Sequence, residues 1–161
     1  MARRGNWDRV IRKFQTLQRD MEQALCEATI EAANLVEGTV IGHLKNQDLG
    51  WQPLTEAYLK RKKSGKKRGS RRLSGKTLIA TRTYFQSITS EVDGMQGFVG
   101  VKRGVAREAD GTDVFNIAMV HEHGSSDGRI PARELWAPTI LECRSQVADI
   151  YRRKAEGVLR R

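Results

Sequence analysis

The sequence has few of the residues that cross-link or stiffen a chain, with two cysteines and three prolines in 161 residues. It also lacks the run of roughly 18 apolar residues that a bilayer-spanning helix needs. Cys26 and Cys143 lie far apart, at helical spacing among apolar residues and without a CxxC motif, so we expect buried free thiols. No apolar segment follows the first charges, which favours synthesis in the cytoplasm without secretion.

Acidic residues are missing from one stretch of the chain, residues 60–76, which we call the basic segment. The whole chain carries 29 Lys and Arg against 19 Asp and Glu, a net charge of +10. Outside the basic segment the two signs balance, at 19 residues each. The segment therefore holds the entire excess, on Lys60, Arg61, Lys62, Lys63, Lys66, Lys67, Arg68, Arg71, Arg72 and Lys76.

Ten like charges held together repel one another, and a polyanion relieves that repulsion. Contact with duplex DNA would be indifferent to base sequence, and log K would fall with log salt at a slope near −5 if about six phosphates were met. No aromatic residue interleaves the segment, which disfavours binding of single strands by stacking. Nuclear targeting and an acidic protein surface are competing uses. Glycines and serines predict a mobile loop here.

Helical periodicity dominates both ends of the chain. From about Trp7 to Leu44, apolar residues recur every three or four positions without proline, which predicts one long amphipathic helix. Such a helix is longer than a chain of this size can cover on one side. Its apolar stripe therefore either lies along the protein's own sheet or in part meets another subunit. A second helix is predicted from Pro138 to the C-terminus.

Between these helices the patterns are shorter. Ser87 to Val92 and Gly97 to Lys102 flank Asp93-Gly94, which predicts an antiparallel hairpin. Residues 56–62 predict a short helix that leads into the basic segment. Residues 78–85 fit either a helical turn or the start of a strand, and 114–121 either a buried strand or a short helix. Together these elements predict an α+β single domain over 1–161, with a helical arm at 1–47, a core at 51–136 and a helix at 138–161.

Two short motifs suggest chemistry but lack its usual context. Ser74-Gly75-Lys76-Thr77 resembles a phosphate loop, yet Ser70 stands where the pattern needs glycine and no strand precedes it. His121-Glu122-His123 offers two imidazoles without a third ligand at metal-binding spacing, which leaves a metal-dependent nuclease as the weakest of three hypotheses. We therefore expect no catalytic residue, no metal, no cofactor and no enzymatic activity.

An ordered series of landmarks resembles a known family. It runs Trp51-Gln-Pro-Leu54, a lysine-rich stretch, Leu78 to Ile88, Phe98-Val-Gly-Val101, Ala118 to Gly124 and Ile130-Pro-Ala-Arg133. The series is similar to the virion morphogenesis, or tail completion, proteins of Mu-like and P2-like tailed bacteriophages. The family usually shows Thr-Gly where Thr81-Arg82 stands, and an aromatic residue or proline soon after Pro-Ala-Arg where Glu134-Leu135-Trp136 stands.

The resemblance implies a structural protein of the virion neck, made in the bacterial cytoplasm. It would form a homo-oligomeric ring that joins capsid to tail around double-stranded DNA, beside portal-side or tail proteins and away from membranes. The basic segment would face the DNA channel. Arg133 would be either an ion-pair partner within or between subunits or an exposed arginine. Structural or interface roles fall to Trp51, Pro53, Leu54, His121, Gly124, Pro131, Arg133 and Trp136. A small DNA-binding protein of another assembly, indifferent to base sequence, is the alternative.

Overall fold

The structure, a computed structural model, describes residues 4–64, 76–79, 83–108 and 110–160, with the backbone alone for 4, 5 and 61–64. Five helices and two strands follow one another in these ranges. They are α1 (Arg4–Asn46), α2 (Glu56–Ser64), α3 (Thr83–Gln86), β1 (Ile88–Asp93), β2 (Gln96–Val101), α4 (Val114–His123) and α5 (Trp136–Leu159). The predicted α+β class is confirmed, because a long N-terminal helix packs on an antiparallel hairpin and a C-terminal helix.

Helix α1 has two halves with different surroundings. The C-terminal half carries small or branched residues that are buried, including Ala28, Ala33 and Val40, so neighbouring elements approach the helix closely. The N-terminal half has no buried residue before Ala24 among those whose side chains are described. The helix ends at Asn46, and Gln47 takes a left-handed φ of 61°. Its side chain caps this end by donating to the Leu44 carbonyl at 2.6 Å.

Helix α5 runs antiparallel to the C-terminal half of α1. Thr29 and Tyr151 share a hydrogen bond of 2.8 Å between their hydroxyls, and Lys154 pairs with Glu27 at 3.1 Å. At the other end, His43 meets Glu142 of α5 at 3.2 Å. These contacts place the C-terminus of α5 level with about residue 22 of α1, because the two helices rise equally per residue.

The β1–β2 hairpin lies against the same half of α1. Its register pairs Ile88 with Val101 and Asp93 with Gln96, which confirms the predicted antiparallel hairpin and its turn. At the turn end, a Cβ on Gly97 would lie 3.1 Å from the Thr29 side chain, so the strand and the helix are in close contact. The main core forms where α1, the hairpin and α4 meet, around Val40, Leu44, Leu78, Tyr84, Ile88, Val101, Val114, Ala118 and Leu135.

The ambiguous segments resolve as helices. Residues 114–123 form α4, with Asp113 as its N-cap accepting from the Phe115 amide at 3.0 Å. Residues 83–86 form the single turn α3, and α2 confirms the short helix predicted for residues 56–62, which extends to Ser64 inside the basic segment. The C-terminal helix begins at Trp136, two residues before the predicted Pro138, because a proline fits the first helical turn, where no amide partner is needed. Cys143 is buried, while Cys26 is half-buried, and both are free thiols.

Candidate functional site

Residues far apart in sequence meet at the C-terminal end of α1. Pro53, Leu54, His121, Pro131 and Arg133 all line one cavity of about 450 Å³. The cavity lies between the extended segment 51–55, helices α2 and α4 and the loop 124–135. We call it the Arg133 cavity.

The remaining sequence landmarks surround this cavity. The Trp51 indole donates to the Glu134 carbonyl at 2.8 Å and so ties the 51–55 segment to the loop. Trp136 packs against the same core as Tyr84, and Tyr84 lines the cavity. Gly124 lies against Ile130 of the wall, so all eight residues singled out as structural or interface positions are in the cavity wall or beside it.

Gly124 allows the loop to turn back after α4. Its φ of 80° and ψ of 168° lie in a region that only glycine adopts without strain. A Cβ there would also stand 3.1 Å from the Ile130 carbonyl and 3.2 Å from the Ala132 amide. The choice of glycine at this landmark thus follows from the backbone.

Two short interactions hold the loop after Gly124 in shape. The Ser125 hydroxyl donates to Asp127 at 2.6 Å and accepts from the Ile130 amide at 2.8 Å. The Ser125 hydrogen bond lowers the pKa of the Asp127 carboxyl below its usual value. The Arg133 amide then donates to the His121 carbonyl at 2.6 Å, which fixes the arginine next to α4.

Glu122 joins α4 to the start of α5. Its carboxylate accepts from the Leu135 amide at 2.8 Å and from the Trp136 and Ala137 amides at 3.2 Å. The next residue, Pro138, has no amide hydrogen, so every free donor of the first turn of α5 is satisfied. A carboxylate at this position also interacts favourably with the helix dipole. Glu122 therefore has a structural role that the His-Glu-His pattern does not suggest.

Arg133 is the cationic centre of the cavity. Its residue is 6% exposed, and its Nε and Nη2 atoms point to the Gln52 carbonyl at 3.4 Å, a long distance for a hydrogen bond. No carboxylate of the described residues lies within ion-pairing distance of its guanidinium, and all Asp and Glu residues of the chain are described. Burial lowers the pKa of Arg133, with the Tyr58 hydroxyl as a weaker opposing influence. The alternative of an exposed arginine is thus wrong.

The rest of the cavity wall is mixed. Leu54, Leu78 and Ile117 supply apolar surface, while Tyr58 and Glu108 supply polar groups. The Thr83 hydroxyl donates to Glu108 at 3.3 Å. Tyr84 is buried, which raises the pKa of its hydroxyl far above the usual value and keeps the hydroxyl protonated. Arg129 also lines the wall, but it is exposed and pairs with Asp127 at 3.2 Å, so Arg133 is the buried cation of a cleft that also holds the Glu108 carboxylate.

The basic segment is described only at its edges. Lys60 is exposed on α2, and the backbone of Arg61, Lys62 and Lys63 continues that helix. The loop predicted for residues 60–76 is thus wrong for residues 60–64, which are helical. The side chains of Arg61, Lys62 and Lys63, the residues Lys66, Lys67, Arg68, Arg71 and Arg72, and the loop predicted for residues 65–75 lie outside the described residues. The Lys76 amino group donates to the Lys45 carbonyl at the end of α1, and the neighbouring Thr77 amide donates to Gln47 at 2.7 Å.

A second candidate surface is the N-terminal part of α1, residues 4–21, which we call the arm. It continues about 25 Å beyond the end of α5 at 1.5 Å per residue. Trp7, Val10, Phe14 and Leu17 follow one another at steps of three and four residues, and Trp7 and Phe14 are 70% and 66% exposed. The same seven-residue repeat, continued along α1, reaches Ala24 and Ala28, which are buried. The covered stripe of α1 thus continues into an uncovered one.

Other chemistries find little in the parts of the chain that are described. No three His, Cys, Asp or Glu side chains there form a group that could hold a metal ion. No helix in those ranges is both long enough and apolar enough to cross a membrane. Comparisons with protein-family models, with curated proteins and with solved structures found no match to this chain.

Proposed function

We propose that this chain is a structural subunit that binds copies of itself, forming a ring in the neck between the capsid and tail of a tailed bacteriophage. The observation that carries the self-assembly is the uncovered apolar stripe of the arm. Among the arm residues whose side chains are described none is buried, so Trp7 and Phe14, 70% and 66% exposed, stay in contact with water unless a partner covers them. A covering helix would continue the contact that α5 makes with the second half of α1.

A second apolar patch lies at the opposite end of the α1–α5 pair. Ile140 and Leu141, near the start of α5, are 58% and 72% exposed. The arm and this patch are too far apart to meet within one chain, because the packed half of α1 separates them. Contact between the arm of one copy and the patch of the next is heterologous, and such contacts close into rings when the rotation allows. This geometry supports a ring.

The place of the ring in a neck is supported by the sequence resemblance and by the charge. Outside the basic segment the chain is neutral, so a ring would concentrate its positive charge where those segments gather. A channel for duplex DNA needs cationic walls that attract phosphate without reading sequence. The proposal therefore assigns the arm to subunit contacts and the basic segment to DNA.

Electron microscopy of particles made without this protein tests the proposal. We expect full heads and free tails that do not join, with joining restored when the wild-type gene is supplied. Complete, joined virions would contradict it. As a control, restoring the protein with its basic segment replaced by a neutral linker of equal length separates the joining role from the DNA contact.

The basic segment alone favours a second candidate, a small DNA-binding protein of another assembly. Such a protein would bind duplex DNA without sequence preference as a monomer or dimer, and it would not need the arm. Two results together would favour this candidate. A variant with a polar arm stripe would bind DNA normally, and virions would assemble normally when the protein is absent.

A further inference from the structure

Arg133 is buried in a cavity, and no acidic residue of its own chain neutralises it. Removing a charged group from water is costly unless an opposite charge or strong hydrogen bonds compensate. The two contacts to Gln52 are long, at 3.4 Å, and compensate only in part. A cation in this state is suited to an anion that arrives from outside the chain.

The wall of the cavity indicates which anion fits. Among the described residues Arg133 supplies the one buried positive charge, because Arg129 on the same wall is exposed and pairs with Asp127 at 3.2 Å, and a single charge matches a monoanion better than a dianion such as phosphate. Leu54, Ile117 and Pro131 favour an apolar stem next to the charged group. A guanidinium binds a carboxylate through two parallel hydrogen bonds. The ligand chemistry is thus a carboxylate with an apolar neighbour.

The exposed end of the hairpin has this chemistry. Asp93 is exposed at the turn and makes no ion pair within the described residues, and Met95, two positions later, is 55% exposed. The turn closes the hairpin, so its residues lie beyond both strand ends and can enter a cleft end-on. Asp8, another exposed acid beside large apolar residues, lies within α1, so a cleft would have to admit the side of a helix about 10 Å wide.

We propose that the Arg133 cavity of one subunit receives the Asp93–Met95 turn of a second copy, with the Asp93 carboxylate bound by Arg133. The turn end of the hairpin lies beside Thr29 of α1, while the cavity lies beside Gln47, about 27 Å further along the helix. One chain cannot make this contact with itself. The contact joins two different surfaces, and it links one copy to the next in the same direction as the contact between the arm and the Ile140–Leu141 patch. It therefore rests on the proposed self-assembly and adds a second contact between subunits.

Sedimentation of wild type, Asp93→Asn and Arg133→Met over a range of concentrations tests the contact. We expect each variant to raise the subunit dissociation constant by about 30-fold or more, because breaking a buried charge pair weakens binding strongly. The double variant should lose little beyond either single variant, since both remove the same interaction. Glu56→Gln is the matched control, an exposed acid on α2 without an ion pair among the described residues, and it should leave assembly unchanged.

Thermal unfolding of the monomer separates this role from a structural one. Arg133→Met keeps an unbranched side chain and removes an uncompensated charge, so the monomer should melt at the same or a higher temperature. Loss of assembly together with unchanged or greater monomer stability supports the inference. Assembly that is unchanged in Asp93→Asn overturns it, and this variant decides alone if Arg133→Met does not fold.

Comparison of arm variants with Asp93→Asn separates the Arg133 contact from the self-assembly on which it rests. If polar replacement of Trp7 and Phe14 abolishes assembly while Asp93→Asn leaves it intact, the ring stands and the Arg133 contact does not. If the wild-type protein is monomeric, the tripeptide N-acetyl-Asp-Gly-Met-amide is titrated by NMR, with its Asn analogue and acetate as further probes. Chemical-shift changes at cavity residues with the Asp peptide alone support the inference. Equal changes with acetate assign the cavity to small free carboxylates and not to the turn. No changes with any of the probes overturn the inference.

Discussion

The carboxylate of Glu122 gives the most direct prediction about stability, because it caps α5 from another helix. Its two oxygens accept from the amides of Leu135, Trp136 and Ala137 at 2.8 to 3.2 Å, and Leu135, the N-cap residue, has no capping side chain of its own. Glu122→Ala should therefore remove the whole cap and the favourable charge at the helix N-terminus. Loss of a cap costs about 1 kcal/mol and loss of the dipole interaction up to about 1 kcal/mol more.

We expect Glu122→Ala to lower the free energy of unfolding by about 2 kcal/mol, which corresponds to roughly 4 to 8 °C in melting temperature for a domain of this size. Glu122→Gln keeps one acceptor without the charge and should lose about half as much. Glu134→Ala is the matched control, an exposed carboxylate near the same helix end that should change stability by less than about 0.5 kcal/mol. Differential scanning calorimetry measures all three. An unchanged melting temperature for Glu122→Ala would refute the capping argument.

Further predictions concern the loop, the acid range and the basic segment. Gly124→Ala should destabilise the protein by about 1 to 3 kcal/mol in chemical denaturation, and by more than Gly128→Ala, which also has a positive φ but open space around it. The hydrogen bond with His43 lowers the pKa of Asp48 in the folded protein. The ionised Asp48 therefore stabilises the fold above the unfolded pKa near 4, and this stabilisation is lost as the pH falls. Asp48→Asn should flatten the decline in melting temperature on acidification. Replacing three cations of the basic segment that contact DNA by glutamine should flatten the slope of log K against log salt by about three. An unchanged slope would show that these cations do not meet phosphate.

Much of the fold could be predicted because periodic patterns identify long helices and turn residues identify hairpins. The stripe from Val10 to Leu35 gave the course of α1, and Asp93-Gly94 gave the turn of the hairpin. The run Val114–His121 could not be assigned from its apolar content, because a short buried strand and a short buried helix look alike. The Asp113 cap, which the structure shows to start a helix there, was the signal available in the sequence.

The candidate site was only partly visible in the sequence. The landmarks around Trp51, His121 and Arg133 were named individually, but their meeting in one cavity depends on tertiary packing that no local pattern reveals. Glu122 was considered only with its flanking histidines as a metal motif, although its oxygens bind the start of α5. A glutamate before a helix that lacks its own capping side chain is a weak signal, since the partner lies 13 residues away. Tyr58 and Glu108 gave no signal at all.

Native mass spectrometry of the purified protein, with and without polar replacement of the arm stripe, measures whether the arm holds the subunits together. We expect the wild type to give one closed assembly of several subunits. Trp7→Ser combined with Phe14→Ser should release folded monomers, whereas Arg12→Ser combined with Gln15→Ser, two exposed arm positions outside the stripe, should leave the assembly intact. A monomeric wild type at micromolar concentration, or an assembly that survives the loss of Trp7 and Phe14, would contradict this role of the arm.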